Sequence, residues 1–287
     1  MRTWPALELT SLTRPELVQA ALSDFTITAI DESCRPGAWH VGFTTAVDRD
    51  AAARALTGQF PDAVIRPMEV PDEDWVAKSQ ANLKAVQIGA IIVAPPWDVP
   101  PSGPLQPLPP TEPGTARIRR PLVIVIRPSM GFGTGHHATT RLCLSALQRV
   151  PVQGRAVIDV GTGSGLLAIA ASRLGASRVV AIDNDADAIH AAGENLEVNR
   201  GAEVALRAGD IRSDAGGPFD VVVANLTGAL LREAAARLRA LAGAGADLIL
   251  SGFLRSEEAD ILASYEGLAV KRRTEEEEWL CLTLQHA

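Results

Sequence analysis

Long apolar runs are missing from this 287-residue chain; stretches such as residues 121–126 fall far short of the ~18–20 residues that cross a bilayer. Cysteine is scarce. Cys34, Cys143 and Cys281 are odd in number, far apart and in no ligand spacing, which points to a reducing compartment and to no metal site. Positive charge is in deficit, with 27 basic against 34 acidic residues and a net charge of -7. That argues against a broad, sequence-blind nucleic-acid surface but stays compatible with a basic protein partner. The first twenty residues include Arg2, Glu8, Arg14 and Glu16, so no signal-peptide apolar segment is expected there. These absences predict a cytoplasmic protein with no membrane partner. What is present, 47% hydrophobic and 21% charged residues, is the composition of a folded protein of about two domains.

Nine of the nineteen prolines fall within residues 95–114. Proline fixes φ and removes a backbone donor, so this stretch reads as a stiff connection rather than a helix or central strand. Before it, strand-like patterns at residues 6–10, 25–30, 39–47 and 63–70 alternate with helical ones at 14–24 and 48–59, with a polar turn at 31–37. That β-α-β-β-α-β order is the ferredoxin-like split motif. Residues 71–83 read as a helical connector carrying Trp75. The expected division is therefore a small α+β domain at 1–70, a connector and Pro-rich linker at 71–114, and a larger domain at 115–287.

From residue 155 strands and helices alternate strictly. Short β-rich runs at 156–160, 179–182, 204–208, 221–224 and 248–250 are separated by helical patterns at 166–174, 185–199, 230–241 and 257–265. Such alternation predicts a mostly parallel sheet covered on both faces. The end differs: residues 268–273 and 278–284 read as two strands joined by an acidic turn, so the last strand should be antiparallel, unlike a standard dinucleotide fold.

Asp159-Val160-Gly161-Thr162-Gly163-Ser164-Gly165 closes the first of these strands and opens a helix. Glycines there let the backbone turn tightly and approach a ligand, with helix N–H groups facing it. A purely structural turn is the plain alternative, and nicotinamide binding the chemical one. The dinucleotide fingerprint wants a sixth-position glycine, where this chain has Leu166. A carboxylate at Asp159 can orient the loop or attract an ammonium and sulfonium ligand, whereas it repels a pyrophosphate. The pattern therefore favours S-adenosylmethionine. Asp183 ends the next strand, twenty-two residues after Gly161, and with Asn184 sits where ribose hydroxyls are accepted. Asp210 and Ile211 follow the third strand, in a loop placed either for adenine or as a plain turn. Asn225 ends the fourth strand, so its amide should face the reacting centre, unless it merely caps a helix.

A second block, Gly131-Phe132-Gly133-Thr134-Gly135-His136-His137-Ala138-Thr139-Thr140, precedes the sheet. Thr139 or Thr140 can start a helix expected at 141–149, so capping competes with ligand binding. The two histidines read as loop-packing residues, since no third ligand at zinc spacing accompanies them.

With these blocks, Asp74-Trp75, Pro96-Trp97, Leu250-Ser251-Gly252-Phe253-Leu254 and Glu278-Trp279, the chain resembles the bacterial methyltransferase family that modifies the eleventh protein of the large ribosomal subunit, the PrmA-like family. It departs from that pattern at Arg127-Pro128, His136, Ala138 and the segment after Asn225. The resemblance implies a seven-stranded Rossmann-like class I methyltransferase sheet behind a ferredoxin-like domain that recognises the ribosomal protein, free or on the ribosome, with no direct nucleic acid required. It implies methylation of lysine side chains and an α-amino group, with Thr140, Gly161, Asp183 and Asn225 lining the cofactor site. The full expected set is Thr134, Gly135, Thr140, Asp159, Gly161, Gly163, Asp183, Asn184, Asp210, Ile211 and Asn225, with Asn225 serving the chemistry. A methyltransferase of another protein or small molecule, or a non-catalytic ribosome-assembly factor, are the alternatives.

Overall fold

The computed structural model describes residues 3–12, 18, 21–22, 25, 27–35, 38–71, 83–100, 121–128, 135–210 and 216–286. The chain divides into two compact units, residues 1–83 and 84–287.

In the first unit β1 (Thr3–Thr10), β2 (Ile27–Arg35), β3 (Ala38–Phe43) and β4 (Val64–Pro71) form one antiparallel sheet in the order β2-β3-β1-β4. Leu7, Leu9, Val41 and Phe43 alternate onto one face and pack against Ala52 and Leu56 of α1 (Ala46–Gln59). Thr45 caps α1 by accepting from the Asp48 N–H at 3.1 Å. The polar run at 31–37 was expected to be a turn, yet β2 continues to Arg35 because its backbone pairs with β3, Asp31 with His40 and Arg35 with Ala38. Ladder pairing overrides composition there. The helix expected at 14–24 lies mostly outside the described residues, with Val18, Ala21 and Leu22 helical; the connector at 72–82 lies outside them too.

The second unit begins earlier than the sequence pattern suggested. β5 (Val86–Ile88) and β6 (Ile91–Ala94) fall inside the stretch read as connector, and they form a hairpin that β7 (Leu122–Val125) joins in parallel. Gln148 holds the hairpin turn, accepting from the Ala90 N–H at 2.7 Å and donating to the Ile88 carbonyl at 3.0 Å. Three-residue and four-residue strands carry too little periodicity to be read from sequence.

The main sheet is built from β8 (Ala156–Val160), β9 (Arg178–Asp183), β10 (Ala205–Ala208), β11 (Phe219–Asn225), β12 (Ala242–Leu254), β13 (Leu268–Glu276) and β14 (Trp279–His286). Its order is β10-β9-β8-β11-β12-β14-β13; β14 runs antiparallel to both neighbours and the rest is parallel. In β11, Val221 and Val223 face one core while Val222 and Ala224 face the other. On the first face lie α2 (Ala138–Leu147), α3 (Leu166–Arg173) and α4 (Ala186–Val198), whose Leu147, Ile169 and partly buried Leu196 belong to that core. On the second lie α5 (Gly228–Glu233), α6 (Ala235–Leu241) and α7 (Glu258–Ser264), through Leu231, Leu238 and Ile261. Each such buried aliphatic side chain contributes roughly 1.5–3 kcal/mol, so two-sided burial, not strand propensity alone, holds the central strands. No helix among the described residues is long and apolar enough to cross a membrane.

Candidate active site

Strand order reverses between β8 and β11, since β8 leads to β9 on one side and β11 lies on the other. Ligands of open parallel sheets bind at the carboxyl ends flanking such a reversal. Two adjoining clefts open there. One, of about 590 Å³, is lined by Gly161, Asp183, Asn184, Gly209 and Asp210. The other, of about 840 Å³, is lined by His137, Thr139, Thr140, Asn225 and Trp279. Gly161, Leu226 and Leu230 line both.

Gly161 has φ of 70°, and a Cβ on it would stand 2.4 Å from Leu226 Cδ2. Gly252 has φ of 95°, and a Cβ there would stand 2.3 Å from the Leu226 carbonyl oxygen. Glycine at both positions lets the ends of β8, β11 and β12 close around Leu226. Leu226 itself is pinned by its N–H, which donates to the Ser251 carbonyl at 2.9 Å.

Asp183 accepts from the Gly163 N–H at 2.9 Å and from the Asp185 N–H at 3.1 Å, so its carboxylate braces the glycine turn while lining the smaller cleft. Asp185 caps α4, which leaves Asp183 and Asn184 free of that duty. Among the described residues, neither cleft lining contains a lysine or arginine. That donor-poor, acidic wall does not fit a pyrophosphate; it fits ribose hydroxyls and a cationic ligand.

Of the two roles open to Asp159, orienting the loop or attracting the ligand, the structure shows the first. Asp159 is buried at 1% exposure and lines neither cleft. Its Oδ2 accepts from Thr162 Oγ1 at 2.6 Å and from the Ala168 N–H at 3.1 Å, tying the glycine turn to α3. Its Oδ1 has no hydrogen-bond partner among the described residues. Burial pushes its pKa up to about 6, against the two hydrogen bonds that favour the carboxylate and with a smaller push from Asp183. The folded protein therefore holds this proton more tightly than the unfolded chain. The stability contribution is complete below the ordinary value of 3.8 and is lost as pH rises through about 6. Asp159→Asn does not titrate, so its stability relative to wild type should rise by roughly 2–3 kcal/mol from pH 4 to pH 7 in chemical denaturation. A pH-independent difference would show that Asp159 stays ionised.

The second block was expected to begin its helix at residue 141 with a threonine cap. Instead α2 begins at Ala138, and His137 is the cap: its Nδ1 lies 2.8 Å from Thr139 Oγ1 and accepts from the Thr139 N–H at 3.4 Å. Both threonines then fall in the first helical turn, where Thr140 faces the larger cleft. The His137 ring meets Trp279 edge-on, with centroids 4.8 Å apart. Burial first, then the Arg141 cation, pushes its pKa below the ordinary histidine value, against the pull of Glu277, Glu278 and Glu276. It serves as a neutral cap. The acidic turn is partly tied down, since Glu276 pairs with Arg141 and Glu275 with Arg273.

Asn225 does not cap α5; Thr227 does. Its Nδ2 lies 3.5 Å from Thr140 Oγ1, joining the second block to the end of β11 inside the larger cleft. Gly163 also lines that cleft, whereas Gly135 is buried against Val93 of β6 and lines neither. Thr134 and Ile211 lie outside the described residues.

The sequence profile described as ribosomal protein L11 methyltransferase (PrmA) matches residues 43–287. The chain belongs to the PrmA family. A relative named ribosomal protein L11 methyltransferase in Myxococcus xanthus is 36% identical over 247 residues, covering 83% of this chain and 79% of that protein. Another of the same name in Geobacter sulfurreducens is 41% identical over 220 residues, covering 76% and 68%. The crystal structure of a ribosomal protein L11 methylase from Lactobacillus delbrueckii subsp. bulgaricus superimposes with a TM-score of 0.61 at 26% identity, covering 71% of this chain and all of that one. The PrmA match starts at the last residue of β3, so β1 and β2 of the first unit precede it. Within this PrmA-family site the sequence reading gave no role to Leu230 and none to Trp279 beyond its place in the Glu278-Trp279 motif. The antiparallel placement of β14 brings Trp279 to His137.

Proposed function

We propose that the protein is an S-adenosylmethionine-dependent methyltransferase that transfers methyl groups to lysine amines, and to the N-terminal amine, of ribosomal protein L11. The observation that carries this reading is the pair of adjoining clefts that share Gly161, Leu226 and Leu230, one acidic and without a cation among its described residues, the other walled by Trp279 and holding Asn225. Asp183, Asn184 and Asp210 would accept the cofactor's hydroxyls and adenine-side donors, and Gly161 and Gly163 would let its backbone-facing side approach. The cofactor supplies an already activated methyl group on a sulfonium. The protein's own task is to align an in-line displacement and keep water out.

A lysine amine with pKa ~10.4 must lose a proton, which costs roughly 4–5 kcal/mol at pH 7. The apolar wall of Trp279, Leu226 and Leu230 lowers that cost by burying the amine. Asn225 Oδ1 and the Leu226 carbonyl are the acceptors that orient it, and no covalent nucleophile is required. The first unit recognises the ribosomal protein, free or on the ribosome, and the reaction takes place in the cytoplasm.

The test is incubation with methyl-labelled S-adenosylmethionine and purified L11, followed by mass-spectrometric mapping. Label on lysine side chains and the N-terminus is the expected result, and a fragment starting at Lys84 should bind cofactor yet label intact L11 poorly. Label confined to another protein or to a small molecule would reassign the substrate. Cofactor binding without any transfer would favour an assembly factor.

A further inference from the structure

One buried amide joins the glycine turn of the site to the backbone that follows β7. Asn195, on the inner face of α4, is fully buried. Its Nδ2 donates to the Ser164 carbonyl at 2.9 Å, and its Oδ1 accepts from the Arg127 N–H at 2.8 Å. Ser164 belongs to the glycine turn after β8 and lines the larger cleft. Arg127 follows β7, at the start of the stretch that leads in sequence to Thr139 and Thr140. One helical turn on, Asn199 grips β7 as a neighbouring strand would. It accepts from the Val125 N–H at 2.9 Å and donates to the Val125 carbonyl at 2.6 Å. The same helix begins at Asp185, two residues after Asp183, whose carboxylate holds Gly163. So α4 carries the glycine turn at one face and β7 at the same time.

We infer that Asn195 is a positioning residue for methyl transfer, locking the cofactor turn to the backbone at Arg127. The inference rests on the S-adenosylmethionine reading of the site. An amide suits this place, because the two backbone groups it meets have opposite polarity and a buried side chain must satisfy both. Reacting atoms in a displacement must approach within about 3–3.5 Å, so a slip between the two loops is felt at the chemistry.

Two isosteric variants of the full chain separate positioning from bulk stability. Asn195→Asp keeps the acceptor for Arg127 and sets an oxygen against the Ser164 carbonyl; Asn199→Asp makes the equivalent change against β7. In calorimetric titration with S-adenosylhomocysteine, Asn195→Asp should weaken binding about tenfold, while Asn199→Asp stays within about twofold of wild type. Equal affinities for the two variants, or an Asn195→Asp affinity like wild type, would overturn the coupling. Should Asn195→Asp not fold, wild-type hydrogen exchange decides. S-adenosylhomocysteine should slow exchange of the Arg127 amide together with that of Gly163, and slowing at Gly163 alone overturns the proposal. A wild type that fails to bind S-adenosylhomocysteine would instead remove the cofactor reading itself.

Discussion

Replacing Asn225 with alanine should lower turnover about ten- to a thousandfold, the range for loss of a positioned polar group at a reacting centre. The side chain ends β11, sits half-buried in the larger cleft and reaches toward Thr140 Oγ1 at 3.5 Å. An amide there donates one hydrogen bond and accepts another without adding a charge or a competing nucleophile. Because Thr227 rather than Asn225 caps α5, the substitution removes no cap and should leave the melting temperature nearly unchanged. Asn225→Asp is the sharper probe. A new carboxylate stabilises ground-state cations more than a transition state in which positive charge disperses, so cofactor affinity should stay near wild type while kcat falls. Single-turnover kinetics with L11 read this directly. Normal kcat per folded molecule in Asn225→Ala, with several kcal/mol of lost stability, would make the residue structural.

Asp183→Ala should raise the dissociation constant for S-adenosylhomocysteine by about ten- to a hundredfold, the equivalent of a lost charge-assisted hydrogen bond of roughly 1.5–3 kcal/mol. The geometry supplies two reasons. The carboxylate faces the smaller cleft, and it also braces the Gly163 and Asp185 amides. Asp183→Asn keeps an acceptor at the same place and should recover part of the affinity. Titration calorimetry on both variants checks the order; an alanine variant within about threefold of wild type would remove Asp183 from the binding site.

Local patterns in the chain carried the sheet. Short β-branched runs in β8 and β11, the glycine turn at 161–165 and the carboxylate at the end of β9 all act over a few residues, so their strands and turns are legible one segment at a time. The hairpin at the end was legible for the same reason, since no helical pattern separates β13 from β14. Short β5 and β6 were not, because strands of three and four residues have no period to read and depend on Gln148, at the C-terminal cap of α2, for their turn. The cap of α2 was misplaced for a related cause. Threonines suit a cap by type, yet the Trp279 ring and the burial around His137 settle which residue takes that place.

The sequence by itself determined the alternating α/β order, the antiparallel ending and the family of the chain, because propensity, periodicity and turn chemistry are short-range. Only the tertiary structure decided what each carboxylate and amide does. Asp159 and Asp183 both end strands in similar local patterns, yet one is sealed beneath the turn and the other opens on a cleft. Asn195 shows nothing in its own segment, and its partners lie 31 and 68 residues away. Burial and long-range hydrogen bonding are properties of the packed chain, so a residue's role follows from which neighbours folding brings to it.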